Sequence, residues 1–471
     1  MLVSQLFDFA DISREIKDKE IKNITDNSQE CTEGSIFICH KSGEKYVDDA
    51  LKNGAVLVVA EKQVCENCVV TDDTAGEYAR LSAEFFGNVH RQMKLIAVTG
   101  TNGKTTTANM LYTILTLSGK KCGLIGTVKS NICAKEISSD LSTPDPFEIH
   151  SMISKLYNWG AEYCVIEASS QGISEGRLLG LDFDIAVLTN ISRDHLDYHG
   201  TMENYVETKK SIFKFAQKCI INADDDYSRE FIDASSGTVI TYSLGKNETD
   251  YVAKSIKLSE EGSDYAVVAD YAIHRIKLNV PGEFNIQNSL AAISAARECD
   301  ISLEFCAYAL KSFFGVKGRM EILGIEEDYK VIIDYAHTPD ALKKVLLCLN
   351  SFSKGRVITV FGCGGERDSE KRALMGDIAS QLSDVLVITS DNPRGENPTK
   401  IIDDILSGIK KSKKTVYIHE NRRKAIEYAL KIAQKDDIIL LAGKGHETYQ
   451  IIGDEKLPMD EREIVREILG K

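Results

Sequence analysis

Leu95-Ile96-Ala97-Val98-Thr99-Gly100-Thr101-Asn102-Gly103-Lys104-Thr105-Thr106-Thr107 decides the fold. A short, fully apolar run over residues 95–98 reads as a buried strand, a polar turn follows, and a helix opens at the lysine. The second half matches the phosphate-loop pattern GK[ST]. The full GxxxxGK[ST] is not met, because its first glycine would fall at Val98, so the loop is a shortened one. Its physics is intact: Gly100 and Gly103 permit tight turns that aim several N–H groups at one phosphate. Lys104 adds a point charge and Thr105 a hydroxyl for Mg²⁺. The bland alternative is a glycine-rich turn with an exposed lysine. Strand, turn and helix in this order favour a nucleoside triphosphate.

The same pattern spreads outward. Runs at 162–166, 184–189 and 218–221 repeat strand, turn and helix. A second set lies at 331–334, 357–361, 385–389, 416–418 and 438–442. Such alternation predicts an α/β fold with mostly parallel sheets covered by helices, and ligands outside the carboxyl ends of the strands. Residues 1–88 hold shorter strand runs at 35–39 and 55–60 with helical stretches near 45–53 and 74–86, a small α/β unit. The expected units are 1–88, 89–316 and 317–471, which suits 471 residues at ~100–200 per domain.

The strand after the phosphate loop ends in Glu167, where a carboxylate can hold Mg²⁺; a solvated or capping Glu is the alternative. Ala168-Ser169-Ser170-Gln171-Gly172 imitates a nucleophile elbow, but a hydrolase would not need the phosphate loop. The next strand runs into Asn190-Ile191-Ser192-Arg193-Asp194-His195-Leu196-Asp197-Tyr198-His199-Gly200, and this dense polar cluster makes His195 a candidate metal contact. In the helix that follows, Tyr205, Lys209, Ile212 and Phe213 share one face, which puts Lys209 with the apolar stripe and leaves Lys210 off it. Snorkelling is the alternative for Lys209.

Composition narrows the class. Lys+Arg number 57 and Asp+Glu 71, a net charge of −14, which argues against a general nucleic-acid binder. No apolar run approaches the ~18 residues of a membrane span, and the first residues carry no charged leader. The 12 cysteines are scattered and read as reduced thiols. Cys65 and Cys68 have CxxC spacing, but no second pair completes a zinc site. A soluble, cytoplasmic monomer that binds small molecules, with neither membrane nor nucleic-acid partners, is the expectation.

Taken together these motifs resemble the Mur ligase family. To the segments above are added Gly282-Glu283-Phe284-Asn285-Ile286-Gln287-Asn288, Gly318-Arg319-Met320-Glu321 and Asp334-Tyr335-Ala336-His337-Thr338-Pro339. The most specific are Gly362-Cys363-Gly364-Gly365-Glu366-Arg367-Asp368, Asp391-Asn392-Pro393-Arg394 and Gly443-Lys444-Gly445-His446-Glu447. The resemblance implies a UDP-binding N-terminal domain, a central ATPase domain and a Rossmann-like C-terminal domain for an incoming amino acid. It implies an ATP-dependent amide ligase of peptidoglycan precursor synthesis that works through an acyl phosphate with Mg²⁺. Gly100, Thr101, Asn102, Gly103, Lys104, Thr105, Thr106, Asn285, Asn288, Arg319, Asp334 and His337 would hold ATP. Thr105, Glu167, His195 and Lys209 would face metal, with Lys209 matching the lysine that the family carbamylates. Lys104, Glu167, His195, Lys209 and Arg319 form the implied catalytic set. Ser28, Ser142, Thr143, Ser169, Arg177 and Lys209 would meet a UDP-muramoyl dipeptide. Arg367, Asp391, Asn392, Pro393, Arg394, Gly443 and Glu447 would take meso-diaminopimelate, with Arg394 on its distal carboxylate.

Departures cluster on the UDP-sugar side. Gln171 stands where the family has His, and Glu175 where Gln is common; a carboxylate at 175 would repel an anionic substrate. Asn27-Ser28-Gln29 replaces Asp-Ser-Arg. These leave open a divergent paralogue using L-lysine or another acceptor. A folate-type polyglutamylating ligase is a rival within the family that Asp391 to Arg394 and Gly443 to Glu447 speak against, and an inactive nucleotide-binding scaffold is a rival from another class.

Overall fold

The computed structural model describes residues 1–7, 15–137, 141–246, 248–270, 272–409 and 415–470. Three α/β units follow one another. The first carries four parallel strands in the order Asn23–Thr25, Ser35–Cys39, Ala55–Ala60, Cys68–Val70. The third is built on six strands in the order Glu321–Ile322, Lys330–Asp334, Ile438–Ala442, Val357–Phe361, Val385–Ile388, Thr415–Ile418, all parallel except the first.

The middle sheet positions the site. Lys94–Thr99 lies between Ile185–Leu188 and Tyr163–Glu167, parallel to both, and Cys122–Ile125 lies beyond Tyr163–Glu167. The chain thus leaves the central strand, skips a place and returns later to both sides, which opens a crevice at that strand's carboxyl end. Side chains alternate across the sheet. Ile96 and Val98 pack with the Lys104–Leu117 and Glu283–Arg297 helices, while Leu95 and Ala97 pack with Pro146–Asn158 and Met202–Lys210. Both faces are buried, which is why these strands read as unbroken apolar runs.

The parallel core is extended at both edges by antiparallel strands absent from the sequence reading. Tyr251–Ser259, Gly262–Ala269 and Ala272–Leu278 form a meander at one edge; Ser130–Ile132 and Lys135–Ile137 form a ribbon at the other. The meander alternates buried and exposed residues along its outer strands, so only one face joins the core. All 12 cysteines are free thiols. Among the described residues no helix is long and apolar enough to cross a membrane.

Specific polar contacts join the units. Tyr78 in the first donates to Ile24 O (3.2 Å) and to Asp145 Oδ1 of the second (3.0 Å). Phe85, Phe86 and Phe147 cluster beside it with ring centroids 5.0–5.2 Å apart. In the third unit the fully buried Arg422 donates to Glu461 Oε1 and Ala442 O, both at 2.8 Å, and ties the Glu461–Ile468 helix to the sheet. Removing one member of a buried ion pair leaves the other desolvated and unmatched. Arg422→Ala is therefore expected to destabilise the third unit by about 3–5 kcal/mol, read as earlier unfolding in urea. An unchanged midpoint would show the pair to be dispensable.

Candidate active site

The phosphate loop is held by its neighbours. Gly100 (φ 140°) and Gly103 (φ 88°) take backbone conformations that side chains disfavour. A Cβ on Gly100 would stand 2.0 Å from Thr189 Oγ1, and one on Gly103 2.3 Å from Asn288 Oδ1. Thr101 N and Asn102 N donate to Asn190 O (2.7 Å) and Asn190 Oδ1 (3.1 Å), and Asn190 Nδ2 returns a bond to Asn102 O (2.9 Å). Lys104 folds back onto its own loop, donating to Gly100 O and Thr101 O, both at 2.9 Å. Burial lowers its pKa, and Glu167 and Asp194 pull the other way.

Glu167 is 1% exposed and accepts from Thr105 Oγ1 (2.8 Å), Thr127 N (3.0 Å) and Thr127 Oγ1 (2.9 Å). Arg319, from the start of the third unit, reaches Thr105 Oγ1 (3.4 Å) and lies 4.4 Å over the Tyr335 ring. Among the described residues no three His, Cys, Asp or Glu side chains gather as a metal cage. Mg²⁺, however, commonly takes one or two carboxylates plus phosphate and water oxygens. The hard oxygens of Thr105 and Glu167 beside the phosphate loop fit that ion.

Lys209 is buried, as its helical spacing predicts; Lys210 pairs at the surface with Glu207 and Glu230. Lys209 donates to Gly100 O (2.9 Å) and Thr99 Oγ1 (3.3 Å). Burial and the nearby Lys104 hold its pKa well below the usual ammonium range, with Asp194 opposing. The shift favours a neutral amine.

His195 sits at φ 54° with Nε2 3.2 Å from Asp194 Oδ2. His337 Nε2 lies 3.6 Å from the same oxygen, and its Nδ1 meets Tyr335 O at 2.7 Å. Burial opposes ionisation of Asp194, yet His337, His195 and Lys371 together hold it well below the carboxylate range. Asn285 and Asn288 pair with each other (3.2 Å), and Asp334 Oδ2 accepts from Met320 N (2.7 Å).

These groups surround one cavity of about 350 Å³. Thr101, Asn102, Gly103, Lys104, Thr105 and Thr106 line it with Asn285, Asn288, Arg319, Asp334, His337 and His195. So do Ser142, Ser169, Arg177 and Arg367. Gly100, Glu167, Lys209 and Thr143 back this lining. Val280, Phe284, Phe313 and Val345 add an apolar slot that the sequence reading missed. Only their position shows it, since each looks like a core residue in the sequence.

Ser28 lies apart from this lining, in the first unit, where Asn53 Nδ2 donates to its carbonyl (2.8 Å). On the acceptor side Thr143 Oγ1 donates to Glu167 O (2.8 Å) and meets Ser169 Oγ (3.0 Å), and Arg177 donates to Thr143 O (2.7 Å). Glu175 is paired with Arg177 and accepts from Gln171 Nε2 (2.8 Å). Gln171 and Glu175, two of the departures from the family pattern, therefore contact each other, and the carboxylate is matched by a cation.

Asp391, Asn392, Pro393, Arg394, Gly443 and Glu447 form a second cluster. Lys444 donates to Asn392 Oδ1 (2.7 Å) and Glu447 Oε2 (2.5 Å), Asn392 Nδ2 also donates to Glu447 Oε2 (3.0 Å), and Arg394 donates to Gly365 O (2.8 Å). Asp391 lies 3.8 Å from Arg422, and a Cβ on Gly443 would meet Asp391 Oδ2 at 2.7 Å. Tyr335 links the two clusters: its hydroxyl is 3.4 Å from Glu447 and its ring lies under Arg319.

The models of the Mur ligase middle domain and of the Mur ligase glutamate ligase domain match residues 98–296 and 318–445. A relative from Caldanaerobacter subterraneus subsp. tengcongensis, named UDP-N-acetylmuramoyl-L-alanyl-D-glutamate–2,6-diaminopimelate ligase, is 43% identical across 96% of this chain and 95% of its own length. The chain belongs to the Mur ligase family. A Clostridium acetobutylicum relative with the same name, numbered 1, is 41% identical across 96% of this chain and 95% of its own length. A solved structure titled as that ligase matches with a TM-score of 0.69 and 31% identity, covering 100% of this chain and 99% of the other. Three α/β units around an interdomain cleft are thus the family architecture in this Mur ligase.

Burial pushes His195 down to about 4, against the pull of Asp194, and pushes His446 down to about 3. An unfolded chain protonates these rings near pH 6.5, while the folded protein does not. The unfolded state then binds more protons between about pH 6.5 and 4, so stability falls as pH drops through that window. Denaturation midpoints across pH 7 to 4.5 should show the loss, with a shallower slope in His446→Phe. A level wild-type profile would contradict the neutral rings.

Proposed function

We propose that this Mur ligase adds meso-2,6-diaminopimelate to UDP-N-acetylmuramoyl-L-alanyl-D-glutamate, using ATP, in peptidoglycan precursor synthesis. The observation that carries this is the adjacency of a phosphate loop, a buried Glu167 and Arg319 to an amino-acid cluster joined through Tyr335. The names of relatives spanning nearly the whole chain support it.

The reaction brings an acceptor carboxylate against a triphosphate, so two anions meet and need cations between them. Lys104 leaves its loop carbonyls for the terminal phosphates, and Arg319 balances charge from the opposite wall. Thr105 and Glu167 would hold Mg²⁺, which would add positive charge to this contact. Val280, Phe284, Phe313 and Val345 suit an adenine ring, with Asn285 and Asn288 beside the phosphate loop. The acceptor carboxylate oxygen bonds the γ-phosphorus as ADP departs, giving an acyl phosphate. The incoming amine then bonds the acyl carbon, and phosphate leaves from the tetrahedral intermediate. Ser142, Thr143, Ser169 and Arg177 would steady the muramoyl dipeptide, and Ser28 the UDP end in the first unit.

Lys209 suits carbamylation. A neutral buried amine adds to CO₂ with loss of one proton, and the product would offer anionic oxygens to a bound Mg²⁺, which an ammonium would repel. Arg394 keeps Nη2 and Nε for a planar carboxylate among the described residues, and Glu447 can accept from the distal ammonium of diaminopimelate. L-lysine would leave Arg394 unmatched.

The chain is expected to release phosphate from ATP only when both the muramoyl dipeptide and diaminopimelate are present. ATPase indifferent to the amino acid would favour the scaffold reading. Turnover with diaminopimelate should exceed that with L-lysine by about 10- to 100-fold; faster turnover with lysine overturns the assignment. Lys209→Ala should lose most ligase activity, and wild type should slow in CO₂-depleted buffer and recover with bicarbonate. Full activity without CO₂ contradicts the carbamate.

A further inference from the structure

Two adjacent residues of the middle unit, Arg193 and Asp194, face three residues at and just before the start of the Glu370–Leu382 helix of the third unit: Asp368, Glu370 and Lys371. Arg193 Nε donates to Asp368 Oδ2 (2.9 Å), and Nη2 donates to Asp368 Oδ1 (3.3 Å) and Glu370 Oε2 (2.7 Å). Lys371 Nζ lies 3.5 Å from Asp194 Oδ1, and both side chains are almost fully buried. The pairs are crossed in sign: the middle unit gives a cation then an anion, the third unit an anion then a cation. Sliding the interface by one residue would set like charges together, so the arrangement fixes register as well as contact.

The segment that Arg193 grips is the Gly362–Asp368 loop. On the side of the third unit, buried Arg372 donates to Gly364 O (3.3 Å) and Arg394 to Gly365 O (2.8 Å). Arg367, immediately before Asp368, reaches into the shared cavity and stands 3.9 Å from Asp197 of the middle unit. The loop is clamped from both units with Arg367 between the clamps.

We propose that Arg193 and Lys371 are positioning residues that lock the 362–368 loop across the cleft and so place Arg367 over the reacting carboxylate and the incoming amino acid. This rests on the ligase reading above. Neither residue touches substrate; both act through Asp368, Asp194 and the loop. Arg193 makes a two-pronged contact that lysine cannot reproduce.

The test is steady-state phosphate release by the full chain, varying ATP, muramoyl dipeptide and diaminopimelate in turn. Wild-type turnover dependent on diaminopimelate is established first; its absence would defeat the ligase reading and not this one. Arg193→Ala is expected to raise the diaminopimelate KM about 10-fold or more and lower kcat, while the ATP KM stays within about twofold. Asp368→Ala should do the same, and the double alanine variant should be no worse than either single one, as contacting residues are non-additive. The exchanged pair Arg193→Asp with Asp368→Arg should recover part of the loss, and Arg193→Lys should fall between. Unfolding midpoints separate misfolding from misplacement. An unmoved diaminopimelate KM in well-folded Arg193→Ala, losses that add in the double variant, or equal rises in all three KM values would each overturn the proposal.

Discussion

A carboxylate taken out of water at the join between two sheets has to be met by hydrogen-bond donors and positive charge. Asp194 is that carboxylate. It is 4% exposed, and its partners come from three places: the following residue, His337 at the mouth of the third unit's first parallel strand, and Lys371 on a helix of the same unit. Lys371 supplies charge and the two imidazoles supply polar contacts, and because Lys371 and His337 come from the third unit, this buried anion favours the arrangement in which the phosphate loop and Arg319 face each other. It joins the two walls of the cleft across which Tyr335 reaches between the clusters.

Much of this was legible in the sequence because the determining interactions are local. The phosphate loop announces itself by strand, glycines and lysine within ten residues. Lys209 and not Lys210 is buried because helical spacing puts it beside Tyr205 and Phe213. The parallel strands are apolar runs because both faces are covered. What escaped notice was non-local. The Tyr251–Leu278 meander alternates, as in Ser255-Ile256-Lys257-Leu258, a signal present in the chain but overshadowed by the βα rhythm around it. The apolar slot of Val280, Phe284 and Phe313 could be found only from the way the Glu283–Arg297 helix packs on Lys104–Leu117. The partner of Arg193 lies 175 residues away.

The acceptor side shows how a change of sequence can be absorbed. Glu175 raises the prospect of repulsion when taken alone. In place, Gln171 and Arg177 bracket it, so a His and a neutral amide have been exchanged for a self-contained polar trio beside Thr143 and Ser169. The charge presented to an anionic ligand there is a property of the trio and not of Glu175.

One backbone oxygen has a further meaning. The carbonyl of Gly100 accepts from Lys104 and from Lys209, each at 2.9 Å. Both amines lean on the same atom while the loop waits. Were a nucleotide to draw Lys104 forward, as the proposed reaction requires, that oxygen would be left to Lys209 alone, and the arrival of one ligand and the seating of the other lysine would be geared through a single shared tooth.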